Sequence, residues 1–208
     1  VKFKRSFTYC DEFARGVSSN DDKYGWSLLM SHISSATEYV LHCLLYLDEQ
    51  NGGVHEASAR DLAELQGVPV EYLAKLFTKL NKAGIVTATE GVKGGFALAR
   101  PADKITVLEV VDAVEGEKPL FDCREIRGRC AIFGDDPPAI ATKGVCGIHA
   151  VMLEAEQRMR EALAENTIAS LAQRTTAKTP AVYRHAIIEW FGSRAGQRRG
   201  GRKAANQG

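Results

Sequence analysis

The sequence predicts a mainly α-helical protein with a small β-hairpin wing: a winged helix-turn-helix followed by a long C-terminal helix. Three observations predict it. Apolar residues recur at helical spacing through three successive stretches between Ser34 and Ala83. A tight turn, Gln66-Gly67-Val68, separates the second stretch from the third. A glycine-rich loop then joins two short runs of β-type residues.

Each element has a local reason. Ser34 and Ser35 can cap a helix that runs to about Leu47, with Val40, Leu41, Leu44, Leu45 and Leu47 as its apolar stripe. Asn51-Gly52-Gly53 is a turn. Ser58-Ala59-Arg60-Asp61 has the form of a capping box and opens a short helix carrying Leu62, Ala63 and Leu65. Pro69 suits the first turn of the third helix, where its missing N–H would be unpaired in any residue. That helix reaches about Ala83. Val70, Leu73, Leu76, Phe77 and Leu80 share one face, and Glu71, Tyr72, Lys75, Lys79 and Lys82 fall largely outside it. Gly84 ends it. Residues 85–89 and 96–99 read as paired strands around the loop Glu90-Gly91-Val92-Lys93-Gly94-Gly95, and Pro101 closes the hairpin. A short helix over 106–114 turns Val107, Val110, Val111 and Val114 inward. A long amphipathic helix over 149–165 carries Met152, Ala155, Met159 and Leu163 on one stripe.

The chain divides accordingly. Residues 1–29 form an N-terminal extension without a clear period, and 30–117 the winged helix-turn-helix. Residues 118–149 are a cysteine-containing loop, 150–172 a dimerisation helix region, and 173–208 a C-terminal extension ending in a basic tail. From Trp190 to Gly208 that tail holds Arg194, Arg198, Arg199, Arg202 and Lys203 and no acidic residue, so it is expected to be solvated and disordered and to attract phosphate non-specifically.

Composition narrows the function. With 208 residues the chain can bury a core, and its formal net charge of +1 means that a nucleic-acid surface must be a local patch. No apolar run approaches the ~18 residues of a membrane span, and the first residues lack the apolar stretch of a signal peptide. The expectation is a cytoplasmic protein, where thiols stay reduced and clustered cysteines favour metal or redox chemistry over disulfides. There is no glycine-rich phosphate cradle at a strand–helix junction and no recognisable nucleophile–base motif, so the chain is not expected to be an enzyme.

In a winged helix-turn-helix the second helix of the turn enters the major groove and the hairpin touches neighbouring backbone. The candidate DNA contacts are Ser58, Pro69, Glu71, Tyr72, Lys75 and Lys79 around the two helices, with Lys93, Gly94 and Gly95 in the wing. The long helix is a natural contact between two copies, because a two-fold protein matches two half-sites. It can equally pack back on its own domain with another face.

Cys123, Cys130, Cys146 and His149 have the spacing C-x6-C-x15-C-x2-H in a loop rich in Arg, Gly, Asp and Pro. Thiolates and neutral imidazole are soft ligands, and four of them on one loop suit iron–sulfur or zinc. A polar, proline-containing loop is a poor place for buried thiols. Cys43, on an apolar helix face, reads instead as core. Cys10 carries no assigned role, and His32, His42, His55 and His185 read as core or surface residues.

Ala59-Arg60-Asp61-Leu62-Ala63, the run from Val70 to Phe77, Leu80-Asn81-Lys82-Ala83-Gly84-Ile85-Val86, the wing glycines Gly91, Gly94 and Gly95, and Thr106-Val107-Leu108-Glu109-Val110 resemble the Rrf2 family of winged-helix transcription regulators. The resemblance covers about residues 30–172. It implies a homodimer on palindromic double-stranded promoter DNA, with binding tuned by an iron–sulfur cluster in some members. It also implies that Cys123, Cys130 and Cys146 are the cysteine ligands. The ending Cys146-Gly147-Ile148-His149 resembles the IscR-like branch, where three cysteines and a histidine hold a two-iron two-sulfur cluster. Glu38 falls where NsrR-like members place an acidic ligand donated by the partner subunit; for this chain a two-iron two-sulfur cluster is the favoured expectation and a four-iron four-sulfur cluster the alternative. Three features depart from the pattern: the fifteen-residue gap between Cys130 and Cys146, Glu90 in place of a wing arginine, and Ala74 in place of an acidic residue on the recognition helix.

The reading is a dimeric DNA-binding regulator, taken as a repressor, that senses iron, redox state or nitric oxide through a cluster. Two alternatives stand beside it. One is the same fold with a thiol switch or structural zinc. The other is an iron–sulfur electron carrier or enzyme subunit that does not bind DNA.

Overall fold

The computed structural model describes residues 33–89, 94–134 and 136–205, with side chains described through Arg194. The expected extension at 1–29, Cys10 and His32, and Glu90, Gly91, Val92 and Lys93 of the wing loop fall outside the described residues.

Helix α1 (Ser35–Tyr46) starts where the Ser34 hydroxyl accepts from the Ala36 N–H. Helix α2 (Ala59–Gln66) is capped by Ser58, whose Oγ accepts from the Asp61 N–H at 3.1 Å and donates to Asp61 Oδ2 at 2.7 Å. Gly67 takes φ 66, the left-handed geometry that lets the chain reverse into α3 (Val70–Lys82) directly after Pro69. Strands β1 (Val86–Ala88) and β2 (Phe96–Leu98) pair antiparallel, with Thr87 opposite Ala97. Ala57 adds a bridge to Phe96, so the residue just ahead of α2 lies along the wing. Only glycine fits at 95, since a Cβ there would sit 2.8 Å from the Ala57 carbonyl oxygen. Helix α4 (Val107–Glu115) has the Thr106–Glu109 capping box, and Arg100 donates to Glu109 at 2.7 Å.

One core unites these pieces. Val40, Cys43 and Leu44 from α1, Leu62 and Ala63 from α2, Leu73, Phe77 and Leu80 from α3, and Ile85, Ile105, Val110 and Ile168 are buried together. The Phe77 and Phe96 rings lie 4.7 Å apart and tie the third helix to the wing.

The cysteine loop follows α4 and contains the four-residue helix α5 (Ala139–Thr142). Helix α6 (Gly147–Ala164) then runs along α4. Arg160 donates to both oxygens of Asp112, at 3.0 and 2.9 Å, and the Leu120 N–H donates to Glu156. Its other face leaves Ile148 and Val151 exposed at 65% and 61%. Helix α7 (Ile168–Lys178) is separate, because the Thr167–Ser170 capping box starts it afresh. The Ile168 N–H donates to Ile105 O and the Val107 N–H to Asn166 O, which lock its start beside α4.

The tail differs from expectation. Residues Ala181–Ala205 form helix α8, whose docking the composition of the tail does not announce. The physical reason is a 3-4-7 spacing that the charge count hides. Ile187, Trp190, Phe191 and Arg194 share one face, Ile187 and Trp190 pack against the core, and Phe191 is buried within it. The Arg194 guanidinium lies 4.0 Å over the Trp190 ring and binds both Glu64 oxygens at 2.7 Å. Among the described residues no helix is long and apolar enough to cross a membrane.

Candidate functional site

The first half of the site is the outer face of α3. Leu73, Leu76, Phe77 and Leu80 are buried on one side; Pro69, Glu71, Tyr72, Lys75 and Lys79 are exposed on the other. That separation follows from the 3.6-residue period and leaves the polar side of the helix free to meet a groove. The structure gives several of these residues an intramolecular task as well. The Ser58 hydroxyl is engaged in the α2 cap. Tyr72, 39% exposed, meets Tyr39 of α1 edge-on at 6.4 Å. Lys79 donates from Nζ to the Val114 carbonyl oxygen at 2.6 Å, at the C-terminal end of α4 where a helix dipole favours a cation. In the wing, Gly94 is half-buried and Gly95 is buried, its N–H donating to Thr89 Oγ1 at 2.9 Å. Gly95 therefore has a packing reason to be glycine.

Glu115, the last residue of α4, was not singled out by sequence. Its Oε1 accepts from the Ser34 N–H at 2.8 Å, the Ser34 hydroxyl at 2.7 Å and the Thr37 hydroxyl at 2.6 Å. Burial pushes its carboxyl upward, but these bonds, with Lys118 nearby, outweigh it and hold the group below its ordinary value. The start of α1, which carries exposed Glu38 next to Thr37, is thereby fastened to the residue that opens the cysteine loop. A motif search could not find this contact, because its partners lie 78 and 81 residues apart.

The second half is the loop itself. Cys146 caps α6, so Cys146 and His149 share that helix's first turn. The N–H groups of His149 and Ile148 lower the Cys146 thiol below its ordinary value, and Arg127 adds to this against burial and Glu125. His149 lies 5.9 Å, ring to ring, from Phe121. Cys123 and Cys146 are both within electrostatic reach of Arg127. Cys130 is exposed, between two short 3-10 turns (Ile126–Arg129 and Ala131–Phe133). Cys43, by contrast, is buried in the core and its thiol is pushed up to about 12, which removes it from ligand or redox chemistry. Among the described residues no three Cys, His, Asp or Glu side chains are gathered as a metal would need. The donor set nevertheless fits an iron–sulfur or zinc group in kind: three free thiols, one of them made more acidic by backbone N–H groups, and an imidazole on an exposed loop.

Comparison with known proteins agrees with the fold. The Rrf2 family profile, described as iron-dependent transcriptional regulator, matches residues 33–174. Protein rrf2 of Nitratidesulfovibrio vulgaris is 34% identical over 58% of this chain and 74% of its own length. The HTH-type transcriptional repressor NsrR of Streptomyces coelicolor is 28% identical over 69% of this chain and 90% of its own. The HTH-type transcriptional regulator IscR of Cereibacter sphaeroides is 38% identical over 40% of this chain and 54% of its own. Among solved structures, T. potens IscR superposes with a TM-score of 0.52 at 24% identity, covering 72% of this chain and 91% of that one. At that identity the likeness speaks for the fold.

Proposed function

This chain belongs to the Rrf2 family and is a transcriptional regulator, not an enzyme, and from that premise we propose that it binds palindromic promoter DNA as a homodimer under the control of an iron–sulfur cluster. The observation that carries the reading is the position of Cys146 and His149. They stand on the first turn of α6, the helix that leans on α4, and α4 in turn meets the groove-facing helix α3.

Cys123, Cys130, Cys146 and His149 would hold the group, with Glu38 of the partner subunit as the alternative fourth ligand. When bound, the cluster supplies a reactive centre for oxygen, nitric oxide or iron loss, and a two-iron two-sulfur form suits the C-x2-H ending. The chain's own residues do the rest. Order at Cys146 sets the start of α6. The Arg160–Asp112 pair passes the setting of α6 to α4, and the Lys79 bond to Val114 passes it to α3. In a dimer joined through the exposed Ile148–Val151 face, a small shift of α6 changes the spacing of two recognition helices. The polar side of α3 with Ser58, Pro69, Glu71, Tyr72 and Lys75 meets the groove, with Lys79 held back on the Val114 carbonyl, and Lys93, Gly94 and Gly95 meet the flanking backbone. Repression is the expected outcome of occupying a promoter.

The Cys146 thiol, made more acidic by the His149 and Ile148 N–H groups, also supports a second reading, in which the same regulator uses a thiol switch or zinc. Membership of a regulator family sets aside the electron-carrier alternative. Anaerobic purification with an absorption spectrum and iron, sulfide and zinc assays separates the two readings. Iron and sulfide with visible absorption are expected, lost in Cys146→Ala and reduced in His149→Ala. A colourless protein with zinc or no metal would sink the cluster reading and leave the second.

A further inference from the structure

Arg127 lies in the loop between Cys123 and Cys130, and its guanidinium binds three places at once. Nε and Nη2 donate to the two oxygens of Glu125 at 2.6 Å each. Nη2 also donates to the Thr142 carbonyl oxygen at 3.1 Å and the Gly144 carbonyl oxygen at 2.8 Å. Glu125 holds φ 44, the left-handed region that non-glycine residues seldom adopt; it is the one described non-glycine residue with positive φ. Such a conformation persists where surrounding bonds over-determine it, and the fork of Arg127 supplies them. Gly128 follows at once, and a Cβ there would come within 3.3 Å of the Thr142 side chain. The two arms of the loop are therefore in close contact at this point. One ends at Cys123. The other leads from Gly144 through Val145 to Cys146.

We propose that Arg127 is the positioning residue of the ligand loop: gripped by Glu125 and donating to the Thr142 and Gly144 carbonyls, it closes the long insertion and holds the Cys146–His149 turn against the Cys123 arm. This rests on the reading of those residues as metal ligands. It also answers the fifteen-residue gap between Cys130 and Cys146, since a side-chain brace across the gap replaces the closeness that a short spacing would impose. The guanidinium suits the task. Its planar fork carries five donors, whereas a lysine ammonium offers a compact point charge without bidentate geometry.

The test compares the full chain with Arg127→Gln and Arg127→Lys, in two readouts. In metal-free, reduced protein, limited proteolysis within 127–146 is expected to accelerate at least about tenfold in Arg127→Gln, and Arg127→Lys is expected not to restore protection. Thermal unfolding of the core should stay within a few degrees of the parent. In anaerobically loaded protein, the visible circular dichroism of the bound group should change and its loss to a chelator should quicken in both variants. Unchanged proteolysis in Arg127→Gln overturns the proposal whatever the metal content. Full rescue by Arg127→Lys also overturns it, because charge alone would then suffice. If the parent binds no metal while Arg127→Gln opens the loop, the brace stands as a loop-closing element and the ligand reading falls.

Discussion

The ammonium of Lys79 lies 2.6 Å from the Val114 carbonyl oxygen, although it stands on the face of α3 expected to meet phosphate. A cation on the last turn of α4 stabilises by roughly 1 kcal/mol through the dipole and the hydrogen bond. Lys79→Ala should therefore destabilise the fold by that amount in urea titrations and leave the salt slope of DNA binding near the parent's. Lys75→Ala should reduce that slope by about 0.9, the value for one neutralised phosphate. Parent-like stability with a reduced slope in Lys79→Ala would return Lys79 to the groups that bind phosphate. Glu115 is the second residue of consequence. Its folded pKa is depressed, so the stability it contributes is fully present above the unfolded value of about 4.3 and is lost as pH falls through the folded value. The stability gap between the parent and Glu115→Gln should thus shrink as pH falls from about 5 to about 3 in urea titrations. A gap constant over that range would contradict the hydrogen-bonded carboxylate.

At the scale of elements, α8 is the addition that lies wholly beyond the family match, which ends at residue 174. Phe191 is buried against α1, 6.2 Å from the Tyr46 ring, so Phe191→Ala should cost roughly 3 kcal/mol, read from chemical denaturation. An unchanged midpoint would mean that α8 does not dock on the core. The same helix shows where sequence reasoning stopped. Elements whose caps and stripes are local were legible: Ser34 and Ser58 cap α1 and α2 as their positions imply, and the two strands pair around the glycine loop. In α8 the summed charge of the tail masked a four-residue apolar and cationic face. The site divides in the same way. The buried side of α3 and the core thiol Cys43 followed from period and polarity. The grip of Arg127 on Thr142 and Gly144, and of Glu115 on Ser34 and Thr37, depends on side chains meeting across long stretches of chain, which no local pattern encodes.

For the whole molecule, a formal net charge of +1 leaves little long-range pull on DNA, so affinity must come from a local face and, in the proposed dimer, from two such faces. The connected line Cys146–α6–Arg160–Asp112–α4–Val114–Lys79–α3 gives the loop a mechanical route to that face. A route of packed helices transmits a change only if the loop has two states with different consequences for binding. The most direct measurement is the promoter affinity of a single anaerobic preparation at fixed salt, before and after the bound group is removed by chelation, with thiols kept reduced throughout. Control of DNA binding by the loop requires a substantial change in Kd for the parent, on the order of tenfold, a typical coupling between two sites. That change should be abolished in Cys146→Ala, while non-specific binding stays constant. Equal promoter affinity with the group present and absent would contradict that control.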